Sequence, residues 1–337
     1  MASEGKQQII VLGAELEADT FKVLWDLSAP GSDAEGCFLR IHEEEYFYDD
    51  SIPIKPFENM PDFKRLEKSE LPTGAVSGIS FTTVTIDTPL YLNYLLNQFL
   101  VKGGRVLRGT AQHIDQVIES GVYSFPGGAS LCGGGTAVPT GSTEQEGKQR
   151  ENLKGPAAVV NCTGIGSRFL GGVEDKKLYP VRGQTVIVRA PWVRSGKTLY
   201  RDRTGAWTYI IPRRSGEVIV GGTRVPNDWY SQPRPETTED ILKRGFELFP
   251  ELAPPEIRKQ RDPTIEDVRS LIVAEGCGLR PNREGGIRLE VEWTEGVGGR
   301  GRVPVVHNYG HGGTGFQASW ATADVALRLL EESLAQT

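Results

Sequence analysis

The sequence predicts an α/β protein of two domains, one built around a parallel sheet and the other around a mixed, mainly antiparallel sheet. Residues 157–166 and 303–336 each run from a buried apolar strand into a glycine turn, and the second continues into a helix. This order of elements is typical of α/β sheets that bind a ligand at the carboxyl ends of their strands. Residues 181–222 instead contain alternating, β-branched runs separated by turns, which indicate antiparallel strands.

The composition is that of a globular protein and argues against several function classes. Of the 337 residues, 38% are hydrophobic and 24% are charged, which allows a sizeable core. The formal net charge of −6 argues against binding to nucleic acid or to anionic membranes, and no apolar run is long enough to span a membrane. The four cysteines lack C-x-x-C spacing and the four histidines are scattered, so we expect no disulfide framework and no metal site.

The first residues predict a strand that stops at a glycine. Residues 8–14 (QIIVLGA) are apolar enough for a buried parallel strand. A dinucleotide-binding unit would continue with a G-x-G-x-x-G loop that opens a helix, and the sequence has no such loop here. Residues 15–28 instead predict an amphipathic helix through Leu16, Leu24 and Leu27.

The next hundred or so positions predict strands on both sides of one helix. Short alternating runs in residues 37–87 are typical of a mixed sheet, and we expect the EEEYFYDD run to form a solvated acidic edge. Residues 88–104 predict a helix with a Thr-Pro start and a Gly-Gly end, followed by a strand over 105–111. The expected buried face of this helix is Leu92, Leu95, Leu96, Phe99 and Leu100.

The second half of the chain returns to ordered patterns after a long interruption. Residues 121–156 are rich in Gly, Ser, Thr and Pro without periodicity, and they predict a mobile insertion. Residues 237–249 predict a helix with apolar residues on one face. Residues 269–281 and 286–293 predict strands that lead back to the last glycine turn.

Tyrosine and arginine side chains at strand ends are the candidates for chemistry. Tyr209, Arg224 and Arg280 each lie in a short run that ends a predicted strand. An arginine offers a planar fork that matches a carboxylate through two hydrogen bonds, and a tyrosine adds one hydroxyl donor. A lone arginine is more often part of a surface ion pair, but three such groups together with glycine turns favour a site for an organic acid.

Several short motifs carry a resemblance to a known family. They are AVVNCTG, VRGQTV, YIIPR, VGGTR, GLRPNR and VVHNYGHGGTGFQASW. In this order the sequence resembles the FAD-dependent D-amino-acid oxidase and D-aspartate oxidase family, strongly from about residue 157 to 334 and more weakly over 15–120.

The resemblance implies how the domains divide. It implies a discontinuous, Rossmann-like FAD-binding domain, here truncated, formed by residues 1–35, 87–180 and 271–337. The substrate-binding domain, with its mixed and mainly antiparallel β-sheet, would consist of residues 36–86 and 181–270.

The resemblance also implies roles for single residues. Arg280 would hold the α-carboxylate of the substrate in a two-bond fork, Tyr209 would donate to the same carboxylate, and the Gly313 carbonyl would lie near the amino group. Gly13, Ala14, Thr163 and Gly164 would contact the nucleotide half of FAD. The residues expected along the flavin ring are Gly312, Gly313, Thr314, Gly315, Phe316 and Gln317, with a helix from about residue 315 pointing its positive end at the ring.

The implied reaction is the oxidation of a D-amino acid to a 2-oxo acid, with release of ammonia and with dioxygen as the acceptor that gives hydrogen peroxide. Arg224 leaves two readings open. A second buried guanidinium would suit a side-chain carboxylate such as that of D-aspartate, whereas a pair between Arg224 and Asp228 would leave a broad preference.

The sequence departs from the family between Ala14 and Glu15, where several dozen residues are absent. We therefore expect weak FAD binding or none, because the pyrophosphate loses its helix N-terminus. The alternatives are a catalytically impaired family member or a related glycine- or sarcosine-type amine oxidase. The polar N-terminus does not resemble a signal peptide. We expect a peroxisomal or cytoplasmic protein of unknown oligomeric state, although LAQT is not an SKL-type address.

Overall fold

The structure is a computed structural model. It describes residues 13–50, 54, 57–121, 125, 155–201, 207–296 and 301–336. Most of the predicted first strand and most of the predicted insertion at 121–156 lie outside these residues. The predictions made for those two segments therefore remain predictions.

The described residues form seven α-helices and twelve strands. The helices are α1 (Gly13–Leu27), α2 (Thr88–Val101), α3 (Ile114–Ser120), α4 (Pro235–Leu248), α5 (Pro255–Gln260), α6 (Ile265–Arg269) and α7 (Ser319–Leu334). The strands are β1 (Phe38–Phe47), β2 (Lys64–Arg65), β3 (Ser77–Ile86), β4 (Val159–Asn161), β5 (Leu178–Arg189), β6 (Ser195–Tyr200), β7 (Trp207–Pro212), β8 (Glu217–Gly221), β9 (Val225–Pro226), β10 (Ile272–Arg283), β11 (Arg288–Glu295) and β12 (Arg302–Tyr309).

The chain forms two compact units. Unit 1 takes the described parts of Met1–Thr20, Asn97–Tyr179 and Pro281–Thr337, and unit 2 takes those of Phe21–Leu96 and Pro180–Arg280. The boundary near residue 180 lies within one residue of the predicted one, whereas the other three differ. One reason is packing: Leu24 in the second half of α1 and Tyr91 in α2 share a core cluster with Phe38 of unit 2.

Unit 2 is built on a nine-stranded mixed sheet. Its order is β10-β5-β8-β7-β6-β1-β3-β2, and β9 pairs with β5. All pairs with a defined register in this sheet are antiparallel except β1 with β6. Helix α4 covers one face, where Ile241 and Leu242 pack in the main core cluster with Ile210, Val218 and Val220. The expected helix at 237–249 and the antiparallel strands at 181–222 are thus both present.

Unit 1 contains a three-stranded sheet in the order β11-β12-β4. β12 is parallel to β4 and antiparallel to β11. Helix α7 packs against this sheet through Val325, Ala326 and Leu329, which share a buried cluster with Leu289 and Val306. The predicted mixed α/β architecture is therefore confirmed.

The strand predicted at 105–111 is wrong, because this segment is irregular. An extended segment becomes a strand only when a neighbour accepts its backbone hydrogen bonds. Within the described part of unit 1, no strand lies beside residues 105–111. Val106 is consequently 53% exposed.

The buried face predicted for α2 is also wrong. Leu92, Leu96, Phe99 and Leu100 are each more than 40% exposed. Of the predicted residues only Leu95 packs against the cluster around Phe38, where it is joined by Tyr91 and Tyr94. Because apolar residues are spread around most of α2, their period does not decide which face packs.

The acidic run on β1 is not a solvated edge. Glu43 and Glu45 are each only 6% exposed, because β1 lies between β3 and β6 instead of at the margin of the sheet. The Thr198 hydroxyl donates to Glu43 at 2.9 Å. Burial raises the pKa of Glu45 to about 8, so this carboxyl is largely protonated at neutral pH.

Replacement of Gly245 by alanine should destabilise unit 2. A Cβ at this position of α4 would lie 2.3 Å from Cγ1 of Val220. We expect a loss of about 1–3 kcal/mol in the free energy of unfolding, measured by urea denaturation. Gly36→Ala is the control, because a Cβ there would meet no atom within 4 Å. An unfolding free energy for Gly245→Ala at or above that of the wild type would contradict the packing described here.

Candidate active site

The structure brings Tyr209 and Arg280 together in unit 2. Tyr209 lies on β7 opposite Gly221 of β8, and Arg280 lies on β10 beside β5. The Arg280 guanidinium lies close enough to the Tyr209 hydroxyl to affect its pKa, and it donates from Nη1 to the Thr223 carbonyl at 3.0 Å. We call these two side chains the carboxylate clamp. A fork of N–H donors next to a phenol is the donor set that a carboxylate accepts from.

Three glycines form the backbone behind the carboxylate clamp. A Cβ at Gly183 would lie 2.3 Å from Nη1 of Arg280. A Cβ at Gly221 would lie 2.1 Å from Cζ of Tyr209, and one at Gly222 would lie 2.4 Å from its hydroxyl oxygen. Both side chains can therefore lie against the main chain only because these positions carry no side chain. The motifs VRGQTV and VGGTR contain these glycines, but the sequence alone did not reveal their role.

The Tyr209 hydroxyl keeps its proton at neutral pH. Burial raises the pKa of Tyr209, while the nearby guanidinium of Arg280 partly opposes this shift. The phenol is therefore available as a hydrogen-bond donor next to a permanent positive charge. This arrangement can bind and orient a carboxylate, but neither side chain can act as a general base at neutral pH.

Arg224 has neither of the two environments considered from the sequence. Its side chain is exposed, so it is not a second buried guanidinium. It lies 5.5 Å above the ring centroid of Trp207, which suits a cation–π contact. Asp228 pairs instead with Arg234 at 2.6 Å. Asp228 and Arg234 flank the segment 230–232, whose Tyr230 and Gln232 carbonyls accept from the buried Arg182.

The predicted cofactor residues of unit 1 lie on two neighbouring turns. Thr163 and Gly164 follow β4, and residues 310–317 follow β12. Because β4 and β12 are adjacent and parallel, both turns leave the same edge of the sheet. Gly310 and Gly312 have φ values of 92° and 60°, which glycine adopts without strain.

Pro281 connects these two turns. Its carbonyl accepts from the Gly312 N–H at 3.0 Å, and its ring lies 3.9 Å from where a Cβ of Gly164 would stand. Around it, Gly312, Thr314 and Gly315 are partly exposed, whereas Gly313, Phe316 and Gln317 are exposed. Gly13 and Ala14 are the first two residues of α1.

The last helix starts later than predicted. α7 begins at Ser319 instead of about residue 315. Residues 314–318 form a turn in which the Ala318 N–H donates to the Thr314 carbonyl at 2.9 Å. One N–H of the first turn of α7, that of Ala321, donates to the Thr20 hydroxyl of α1 at 3.1 Å. The extra turn arises because Gly312 and Gly315 favour a tight bend over continued helix.

A chain of buried polar contacts in unit 1 holds the turn after β4. The side-chain oxygen of Asn161 accepts from the Thr163 hydroxyl at 2.8 Å. Its amide nitrogen lies 3.2 Å from Nδ1 of His307, and Nε2 of His307 lies 3.1 Å from a Glu292 oxygen. Burial is the main cause that lowers the pKa of His307, so this imidazole is neutral at pH 7.

The same polar chain continues to the turn after β12. Arg288 donates to Glu292 at 2.7 Å and to the Tyr309 hydroxyl at 2.9 Å. That hydroxyl donates to Asp175 at 3.0 Å, and Asp175 also accepts from Nε of Arg283 at 2.7 Å. Arg283 packs under Gly310, where a Cβ would lie 3.0 Å from it. The polar chain thus fixes both glycine turns to the sheet.

Two kinds of feature are absent from the described residues. No group of three or more His, Cys, Asp or Glu side chains in them could hold a metal ion. Among the same residues, no helix has the length and hydropathy that crossing a membrane requires.

The chain also matches a described protein family along most of its length. The model of the family DAO, FAD dependent oxidoreductase, matches residues 54–329. The chain belongs to this family. It is therefore an oxidoreductase of an FAD-dependent family, and the resemblance seen in the motifs is confirmed.

Members of this family with assigned names include two fungal relatives. D-aspartate oxidase from Cryptococcus neoformans var. grubii is 36% identical over 332 residues, which cover 92% of this chain and 77% of that protein. D-amino-acid oxidase from Schizosaccharomyces pombe is 34% identical over 263 residues, which cover 78% of this chain and 62% of that protein. The chain thus spans less than two thirds of the second relative.

Solved structures support the family fold. Glycine oxidase from Bacillus cereus ATCC 14579 has a TM-score of 0.62 and covers 94% of this chain and 82% of its own, at 15% sequence identity. L-proline dehydrogenase from P. horikoshii has a TM-score of 0.61 at 14% identity. At such identities the likeness concerns the fold and not the substrate.

The residues of unit 1 fit one half of FAD better than the other. Glycine-backed turns at the carboxyl ends of β4 and β12 suit a flat ring and its nucleotide. The phosphate half has no matching loop, because the sequence lacks G-x-G-x-x-G after its first apolar run. The helix that starts at Gly13 carries Glu17 in its first turns, where negative charge opposes a phosphate.

Removal of the Asp175 charge should destabilise the polar chain. Burial raises the pKa of Asp175, but hydrogen bonds from Arg283, the Lys177 N–H and Tyr309 outweigh burial and hold it below its ordinary value of 3.8. Asp175→Asn leaves Arg283 without its buried partner and should cost about 3 kcal/mol in unfolding free energy at pH 7. Because the folded pKa is lowered, this advantage of the wild type is present above pH 3.8 and is lost as the pH falls further.

Urea denaturation at several pH values measures this difference. Asp324→Asn is the matched control, because Asp324 forms an exposed pair with Arg328 on α7 at 3.4 Å and should contribute less than about 1 kcal/mol. An equal loss in both variants, or a gap between wild type and Asp175→Asn that does not narrow in acid, would show that Asp175 is not part of a stabilising network.

Proposed function

We propose that this protein oxidises D-amino acids and binds the substrate carboxylate with Arg280 and Tyr209. The close approach of these two side chains to each other, both against glycine backbone, is the observation that carries the proposal. The named relatives at more than 30% identity are D-aspartate and D-amino-acid oxidases, which supports this substrate class over glycine or sarcosine. The support for the glycine-type alternative comes from fold matches at 15% and 17% sequence identity.

The chemistry that we propose needs positioning and little proton transfer by the protein. FAD, when bound, supplies the two-electron acceptor. Arg280 and Tyr209 fix the carboxylate, which restricts the orientation of the substrate's α-hydrogen. In the overall reaction, a D-amino acid, dioxygen and water give a 2-oxo acid, ammonia and hydrogen peroxide.

Substrate preference depends on Arg224 in this proposal. The guanidinium of Arg224 is exposed to water. A side-chain carboxylate would therefore gain less binding free energy from it than from a buried arginine. The guanidinium of Arg224 still lies over the ring of Trp207, which is two residues before Tyr209 on β7. It therefore adds one positive charge to this part of unit 2. We therefore propose a modest preference for acidic D-amino acids, with D-aspartate as the type substrate, and retained binding of neutral ones.

The proposal also covers how well this chain binds FAD. The missing phosphate loop supports a protein that holds the carboxylate clamp but binds FAD weakly, which is the catalytically impaired alternative. The peroxisomal or cytoplasmic location stays a prediction from the sequence.

Loss of either clamp side chain should weaken carboxylate binding. Calorimetric titration of the full chain with D-aspartate and with D-alanine measures this without any need for turnover. Arg280→Met should raise the dissociation constant roughly a hundredfold and Tyr209→Phe roughly tenfold, because they remove a charged fork and a single neutral donor.

Arg224→Ala separates the two substrate preferences in the same titration. It should weaken D-aspartate binding by about threefold to tenfold and leave D-alanine unchanged. Unchanged binding of both ligands in Arg280→Met would refute the clamp. Better binding of D-alanine than of D-aspartate by the wild type would refute the acidic preference alone.

The purified chain should contain little flavin. We expect an absorbance spectrum without the flavin band near 450 nm, and less than about one tenth of an equivalent of FAD, because the pyrophosphate has no helix N-terminus to bind. Dialysis against excess FAD followed by gel filtration is the direct measurement. One equivalent of retained FAD would show that the missing loop is not needed.

A further inference from the structure

A second arginine lies behind the carboxylate clamp. Arg244 lies on α4 with its side chain 18% exposed, and Asp240 one turn earlier accepts from its Nε at 2.9 Å. Its other nitrogens donate to the main chain of the β7–β8 pair. Nη1 donates to the Trp207 carbonyl at 3.2 Å, and Nη2 donates to the Gly222 carbonyl at 3.2 Å.

These two carbonyls flank the part of the sheet that shapes the clamp. Trp207 lies two residues before Tyr209 on β7, and its carbonyl also accepts from the Gly222 N–H at 3.0 Å. Arg244 therefore spans the last backbone bond between β7 and the segment after β8. A further bond from Nη1 to the Thr208 hydroxyl at 2.7 Å fixes the guanidinium in this position.

Both clamp side chains depend on this segment. The ring of Tyr209 lies against Gly221 and Gly222, and Arg280 donates to the carbonyl of the next residue, Thr223. The Thr223 hydroxyl in turn accepts from the Gln184 N–H at 2.9 Å. A shift of Gly222 would move the surface that supports Tyr209 and the carbonyl that orients Arg280 at the same time.

We infer that Arg244 is a positioning residue for the carboxylate clamp, which it serves by fastening the backbone at Trp207 and Gly222. The inference rests on the proposed function of the clamp. It adds a residue on the opposite face of the sheet, reached through the main chain. A planar fork with several donors can hold two carbonyls and a hydroxyl at once, whereas a lysine ammonium offers no such fixed geometry.

The position of Arg244 explains why a guanidinium is needed there. Gly221 and Gly222 carry no side chains, so this end of the hairpin has few packing contacts of its own. The end is also the last paired position of β8. Three hydrogen bonds from one rigid group replace the packing that two glycines cannot provide.

The experiment compares three variants of the full chain. Arg244→Met removes all donors, and Arg244→Lys keeps the charge without the fork. Arg213→Met is the matched control, because Arg213 is similarly buried at 13% exposure and lies at the opposite end of the same hairpin, paired with Glu217 at 3.3 Å.

Two quantities are measured, with and without added FAD. The first is the dissociation constant for D-aspartate by calorimetry. The second is hydrogen–deuterium exchange, by mass spectrometry, of the peptide that covers residues 218–226. Melting temperatures of all variants show how much each substitution destabilises the protein as a whole.

We expect Arg244→Met to raise the dissociation constant by about tenfold or more and to speed exchange in residues 218–226. Arg244→Lys should recover part of both effects. Arg213→Met should lower the melting temperature by a similar amount but change the dissociation constant by less than about twofold.

The inference fails if Arg244→Met binds D-aspartate as the wild type does, or if Arg213→Met weakens binding to the same degree. Absence of D-aspartate binding in the wild type is a different result, since it would refute the proposed function. In that case the exchange data alone decide about Arg244, and unchanged exchange in Arg244→Met would overturn its role in fixing the backbone.

Discussion

The contact between two polar side chains and bare glycine backbone is the constraint on which unit 2 depends. Arg280 lies against Gly183, and Tyr209 lies against Gly221 and Gly222. A side chain at any of these three positions would occupy the space of the guanidinium or the phenol. The three glycines of the sheet therefore leave the space in which the guanidinium and the phenol lie next to each other. Burial keeps the phenol protonated, and the guanidinium keeps its charge, so the clamp stays a set of donors at any physiological pH.

Unit 1 meets a different constraint, because it must hold glycine-rich turns that have few contacts of their own. It does so with polar groups that lie under the turns and are paired with one another, from Asn161 and His307 to Asp175 and Arg283. Such buried networks are costly when they are incomplete. The three-stranded sheet and its two glycine turns can therefore be well formed even though the sequence lacks a G-x-G-x-x-G loop after its first apolar run.

Sequence patterns predicted the elements whose packing is decided locally. The helix at 237–249 has one apolar face, and the strands at 181–222 alternate, so each could be placed correctly. Predictions failed where the structure of a segment depends on a neighbouring element of the fold. The segment at 105–111 has strand composition but no partner among the described strands, and apolar residues are spread around most of α2. Glu43 and Glu45 were expected at an edge because the sequence does not reveal that β1 lies inside the sheet.

For the site, the sequence predicted which side chains have suitable chemistry, but it did not predict what surrounds them in the fold. Arginine and tyrosine at strand ends indicated an acid-binding site, and Tyr209 and Arg280 do meet. The sequence did not predict that Arg224 is exposed above Trp207, nor that Arg244 reaches the same hairpin from α4. Both facts depend on contacts between elements that are distant along the chain, and no local pattern records such contacts.

The order of segments along the chain has a consequence for synthesis. Among the described strands, the short β4 has β12 as its one neighbour, and β12 lies near the end of the chain. At ordinary translation rates, roughly ten to thirty seconds separate the emergence of these two strands from the ribosome. During that interval β4 has no described strand to pair with, so the three-stranded sheet can form only after residues 302–309 have left the ribosome.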